Sequence, residues 1–137
     1  MSEATTSKKT SAIVWPTRRY RDAPAAIRFL VDAFGFVEAA VYGGEDPGTI
    51  AHAELAWPAG GAIMLGSARP DTAIKDLAAG VGSVYVVTDD VDALFARARA
   101  AGARVEREPR DEDYGGRDFV VRDPEGVYWS FGTYAGQ

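Results

Sequence analysis

His52 and Glu54 stand two positions apart in the stretch Thr49 to Trp57, and His52 is the only histidine in the chain. Side chains two apart on an extended strand share a face. Imidazole and carboxylate at this spacing form a candidate acid–base pair, because imidazole titrates nearest neutrality and a neighbouring carboxylate can orient it. The same spacing also suits a plain hydrogen bond at a partly wet strand edge, or contact with a bound molecule. Other chemistries are excluded by residue type. With no cysteine there is no thiol nucleophile, thiolate zinc cage, iron–sulfur ligand or disulfide. A single histidine rules out a two-histidine metal site within one chain. Ser83 and Ser130 lack a nucleophile-elbow context, which argues against a serine hydrolase. Neither Gly43-Gly44 nor Gly60-Gly61 belongs to a phosphate-loop pattern.

These residues must be positioned by a chain of 137 residues that is 47% apolar, long enough for one core and one domain. A net charge of −5 repels polyphosphate backbones, so no nucleic acid and no acidic membrane surface is expected as a partner. With no long apolar span, the sequence reads as a soluble, cytoplasmic protein. Residues 1–11 contain no aromatic or branched aliphatic side chain and are expected to form a mobile tail before a single domain over 12–137.

The domain reads as the same unit twice. Ser11 to Tyr20 is extended, Asp22 is a helix N-cap, Ile27, Leu30, Val31 and Phe34 make an apolar stripe, and Gly35 ends the helix. Three extended stretches follow: Phe36 to Tyr42, Thr49 to Trp57 and Ala62 to Gly66. After a linker over about 68–82 the order returns. Ser83 to Thr88 is extended, and Asp89 to Asp92 open a helix striped by Val91, Leu94, Phe95, Ala98 and Ala101 and ended by Gly102. Arg104 to Glu108, Asp118 to Arg122 and Val127 to Thr133 close the chain, with turns at Pro109 to Gly116 and Asp123 to Gly126. Asp22 to Gly35 and Asp89 to Gly102 each span thirteen positions. The pattern predicts an α+β fold of two βαβββ modules, one over about 12–67 and one over about 83–134. Each helix covers one sheet face, and the two open faces are expected to pair around a shared cavity.

Tyr20 to Ile27 with Ala33 to Phe36, Val87 to Ala93 with Ala101 to Ala103, and Tyr114 to Arg117 leading to Asp123 to Gly126 and Trp129 to Tyr134 resemble one family. It is the glyoxalase, bleomycin resistance protein and extradiol dioxygenase superfamily, also called vicinal oxygen chelate proteins. The closest likeness is to small bacterial glyoxalase-like proteins. The resemblance implies two βαβββ modules, a homodimer, and in the enzymes a divalent metal held by histidine and carboxylates from the first and last strand of each module. The four positions that match those ligands hold Trp15 (or Pro16 if the register slips), Met64, Ser83 and Ser130. Indole does not ligate, a thioether is too soft for these cations, and the two hydroxyls are neutral and weak. No cofactor is therefore expected.

Alternation places Met64, Ser83, Ser130, Tyr85, Tyr128, His52 and Glu54 on the cavity side. Ile63, Leu65, Val84, Val86, Trp129 and Phe131 face the helices, with Ala51, Ala53, Leu55 and Trp57. Trp15, Tyr85, Tyr114, Tyr128 and Met64 would make a flat, polarizable lining, and Asp118 with Glu54 would make it acidic. Arg18, Arg19 and Arg21 alternate faces, so they read as a solvated edge. The expected ligand is a small, partly aromatic, neutral or cationic molecule, captured without chemistry as in the drug-sequestering branch. The alternative is a lyase, isomerase or dioxygenase with an atypical metal site, or metal-free acid–base catalysis by His52 and Glu54. A third reading is an interaction module with a vestigial cavity.

Overall fold

The computed structural model describes residues 12–70, 73 and 78–136. The expected tail over 1–11 and the middle of the linker lie outside the described residues. β1 (Thr17–Tyr20) leads into α1 (Ala23–Phe29), which continues as a π-helical turn over Leu30–Phe34. β2 (Val37–Gly43), β3 (Ile50–Ala56) and β4 (Ala62–Ser67) complete the first module. β5 (Ser83–Val87), α2 (Val91–Ala100), β6 (Arg104–Asp111), β7 (Arg117–Arg122) and β8 (Tyr128–Gly132) repeat the order. The strands form two four-stranded mixed sheets, ordered β1-β4-β3-β2 and β5-β8-β7-β6. In each sheet the first and last strands of the module pair in parallel and the other pairs are antiparallel. The fold is α+β, two βαβββ modules.

The helix boundaries follow from their end residues. Asp22 Oδ1 accepts from the Ala25 amide at 3.1 Å and Asp90 Oδ1 from the Ala93 amide at 3.2 Å, each satisfying an orphan donor of its first turn. Gly35 (φ 92°) and Gly102 (φ 96°) take the left-handed conformation that stops each helix. Because the second cap is Asp90 and not Asp89, the second helix spans one residue fewer between cap and glycine. The π-helical turn at Leu30–Phe34 absorbs the extra residue of the first. Two strands differ from expectation. β1 begins only at Thr17, after Pro16, which has no amide hydrogen for the ladder. β6 runs through Pro109 to Asp111, where a turn was expected. The ladder shifts between Arg107 and Arg110, and β6 is an edge strand, so the missing donor is tolerated.

The modules meet through their helix sides. Phe34 packs against Trp129 and Phe131 at ring-centroid distances of 5.3 and 4.6 Å, and Phe36 and Trp57 extend the same aromatic cluster. Trp57 Nε1 donates to the Val87 carbonyl at 3.0 Å, and Arg97 of α2 donates to the Asp32 and Val31 carbonyls at 2.9 and 3.2 Å. Ile63, Leu65, Ala53 and Leu55 are buried on this side as expected, whereas Ala51 is exposed. The turn after β7 is a second clamp. Asp123, 3% exposed, accepts hydrogen bonds from the Tyr20 hydroxyl, Trp129 Nε1 and the amides of Glu125, Gly126 and Val127. Glu125 accepts from the Arg21 and Asp22 amides at 2.7 Å each. Burial, with Asp123 beside it, pushes the Tyr20 hydroxyl above its ordinary pKa, so it remains a donor. The open sheet faces therefore do not close on each other within one chain, contrary to the pairing expected around a shared cavity. The helix sides carry more apolar side chains and are the faces that come together.

Candidate functional site

The two open faces have matched registers. Met64 lies opposite Thr17 on β1 and Ser130 opposite Tyr85 on β5, so Trp15 and Ser83, two positions before those partners, are equivalent in the two modules. The four positions that the resemblance equates with metal ligands thus fall at corresponding places, as Trp15, Met64, Ser83 and Ser130. Trp15 Nε1 donates to the Ala12 carbonyl at 3.1 Å. An indole, a thioether and two hydroxyls do not fit a hard divalent cation. Among the described residues, no group of three or more His, Asp or Glu is arranged to hold one.

The first module brings His52 and Glu54 together. They share the open face, with His52 Nε2 and Glu54 Oε2 at 2.9 Å and both side chains half-exposed. Glu54 lies beside Met64 in the ladder, and the Tyr42 ring stands 6.3 Å from the imidazole.

The second module brings together the tyrosines and Asp118. Tyr85 is 45% exposed and its hydroxyl donates to the Tyr134 carbonyl at 2.7 Å. Tyr128 is 36% exposed and lies under the Arg122 guanidinium, 4.1 Å from its ring centre, with Arg122 also bonding its hydroxyl. Tyr114 is exposed beside the open face; its hydroxyl donates to Asp118 Oδ2 at 3.0 Å and its ring meets Tyr134 edge-on at 5.5 Å. Among the described residues, no hydrogen bond, ion pair or ring contact links this set to Trp15, His52, Glu54 and Met64. The candidate residues form two half-sites on separate sheets.

The two carboxylates expected to make the lining acidic are both engaged by neighbouring side chains. Asp118 is buried and bound by Arg107, which also holds Glu112 at 3.0 Å, while Glu54 faces His52. The spacing of Arg107 gave no signal, because the ladder shift in β6 brings it to Asp118. Burial of Asp118 opposes its ionisation, but the bonds from Arg107 and Tyr114 outweigh that and hold it below the ordinary carboxylate range. The same carboxylate raises Tyr114, with burial adding to it, and burial together with Asp118 raises Tyr85 against the lowering effect of its bond to Tyr134. A depressed folded-state pKa contributes stability that is present above the unfolded value, near pH 4, and is lost as pH falls through the folded one. Asp118→Asn is expected to cost about 1–3 kcal/mol at pH 7 and to flatten the acid limb of a stability–pH curve measured by urea denaturation. An acid limb as steep as the parent's would contradict this.

Arg18 and Arg19 are not a simple solvated edge. Both line a cavity of about 150 Å³ with Thr17, His52, Met64 and Val81.

This fold, with these half-sites, is that of a known class. The family model described as the glyoxalase/bleomycin resistance protein/dioxygenase superfamily matches residues 12–131, and the chain belongs to that superfamily. An uncharacterised protein of Mycobacterium tuberculosis H37Rv is 37% identical over 117 residues, covering 81% of this chain and 68% of that protein. The crystal structure of TioX from Micromonospora sp. ML1 is 32% identical with a TM-score of 0.76, covering 91% of this chain and all of that one. Glyoxalase I from Zea mays shares the fold at 20% identity and a TM-score of 0.68, covering 88% of this chain and 44% of that enzyme. Among the described residues, no helix is long and apolar enough to cross a membrane.

Proposed function

We propose that this chain captures a small, partly aromatic molecule on its open sheet faces without a bound metal, as a homodimer whose second copy covers the exposed tyrosine face. The observation that carries the reading is the substitution at the four ligand-equivalent positions by Trp15, Met64, Ser83 and Ser130, next to a face that keeps Tyr85 and Tyr128 accessible. Stacking surface and soft, polarizable groups stand where the superfamily's enzymes carry their Lewis acid. A planar ring can lie on such a surface, with Arg122 and Tyr128 already showing the cation–π geometry the face supports.

Thermal melts of the full chain against Mn²⁺, Fe²⁺, Ni²⁺ and Zn²⁺, and separately against quinoline- and naphthalene-sized compounds, test this. Ring compounds are expected to stabilise by about 2.7 kcal/mol at a hundred times Kd, and the divalent cations to leave the melt unchanged. Stoichiometric metal with stabilisation of that size would overturn the proposal.

The 2.9 Å contact between His52 and Glu54 favours a second reading, metal-free acid–base catalysis of a lyase or isomerase type. It requires a turnover that His52→Ala abolishes while binding persists.

A further inference from the structure

We infer that the captured molecule carries a carboxylate, and that Arg19, supported by Arg18, holds it in the cavity beside His52 and Met64. This rests on the capture reading and replaces the neutral or cationic ligand expected from the sequence with an anionic one. Six of the twelve arginines already face a carboxylate: Arg21, Arg104, Arg107, Arg110, Arg117 and Arg122. Arg18 and Arg19 do not. Arg18 directs its terminal nitrogens at the neutral carbonyls of Val81 and Ser83, and its Nε is buried with no partner. Arg19 makes no hydrogen bond or ion pair among the described residues. Among the described residues no acidic side chain lines their cavity, and neither guanidinium faces a carboxylate there.

The backbone makes room for both. A Cβ on Gly66, an ordinary strand position, would lie 2.5 Å from Arg19 Nη1 and 2.9 Å from the Ala51 carbonyl oxygen. A Cβ on Gly82 would lie 2.8 Å from Arg18 Nη1. Glycine at these two positions admits each guanidinium to the cavity wall.

The cavity's size and lining narrow the ligand. About 150 Å³ is the size of a cavity that admits a benzene-sized molecule, enough for an acidic group on a small ring. Met64, Leu65, Val81 and Val127 supply an apolar wall against the same space. An apolar body bearing a planar carboxylate satisfies both, since the guanidinium fork matches a carboxylate in two parallel hydrogen bonds. A free phosphate would leave the apolar wall uncovered.

Calorimetric titration of the full chain with two matched pairs, benzoate against benzamide and 1-naphthoate against 1-naphthamide, tests the inference, with inorganic phosphate as a third arm. Each acid is expected to bind at least about tenfold tighter than its amide. The advantage should disappear in Arg19→Gln and partly return in Arg19→Lys. Because Arg19 has no hydrogen-bond or ion-pair partner among the described residues, the ligand-free melting temperature of Arg19→Gln should match the parent's. Acids and amides binding equally well would overturn the carboxylate assignment while leaving capture intact, as would an acid preference that survives Arg19→Gln. Phosphate binding as tightly as benzoate would replace the carboxylate with a general oxyanion site and overturn the inference. Failure of every acid and amide to bind at millimolar concentration would sink the inference and the capture reading together.

Discussion

Asp123→Ala is expected to lower the unfolding free energy by about 3–5 kcal/mol, the largest loss from a single polar change in this chain. The carboxylate is almost fully buried and receives donors from both modules: the Tyr20 hydroxyl at 2.6 Å, Trp129 Nε1 at 3.1 Å, and three successive amides of its own turn at 3.0, 3.0 and 3.1 Å. Alanine would leave those groups without an acceptor in a site where no side chain replaces it. The cost is desolvation without compensation, which exceeds the net worth of any one of the bonds. Asp123→Asn keeps a single carbonyl oxygen and is expected to lose less, about 1–3 kcal/mol. Urea denaturation at pH 7 checks both, and a loss below about 1 kcal/mol for the alanine variant would show that the turn reorganises around the gap.

Phe34→Ala is expected to cost a similar 3–5 kcal/mol by opening a cavity in the aromatic cluster that joins the modules. Phe34 is 1% exposed and packs on Phe29 of its own module and on Trp129 and Phe131 of the other. Its loss weakens both a module's own core and the junction. Unfolding should remain a single transition, because Trp57, Phe36 and the Asp123 clamp still couple the halves. A double-mutant cycle with Phe131→Leu should give a coupling of about 0.5–3 kcal/mol. Two separate transitions in Phe34→Ala, or additive effects in the cycle, would show that the modules do not share a core.

Much of this architecture could be read from residue types, because its signals are local. Asp22 and Gly35 bracket the first helix by chemistry that acts within a turn, and Gly102 ends the second in the same way. Alternation along β3, β4, β5 and β8 separated His52, Glu54, Met64, Tyr85, Tyr128 and Ser130 from the helix-facing side chains. What could not be read depends on contacts distant in sequence. Which faces of the two sheets meet is decided by Phe34 reaching Trp129 and Phe131, and no spacing announces that. Asp123 looks like an ordinary turn aspartate; only Tyr20, 103 positions away, reveals it as a clamp. The charge presented at the candidate site depends on such distant contacts as well. Asp118 and Glu54 are acidic by type, but Arg107 and His52 answer them, whereas Arg18 and Arg19 alternate along β1 and yet border one cavity.

The turn formed by Asp123 and Glu125 holds the Tyr20 hydroxyl and the Arg21 and Asp22 amides, at the very entry of the first helix. A chain emerging from the ribosome cannot complete its first module until that late turn and β8 have left the exit tunnel. Assembly of the first module therefore waits for the last strand of the second, and such long-range closure makes it slow relative to a protein whose halves mature in order of synthesis.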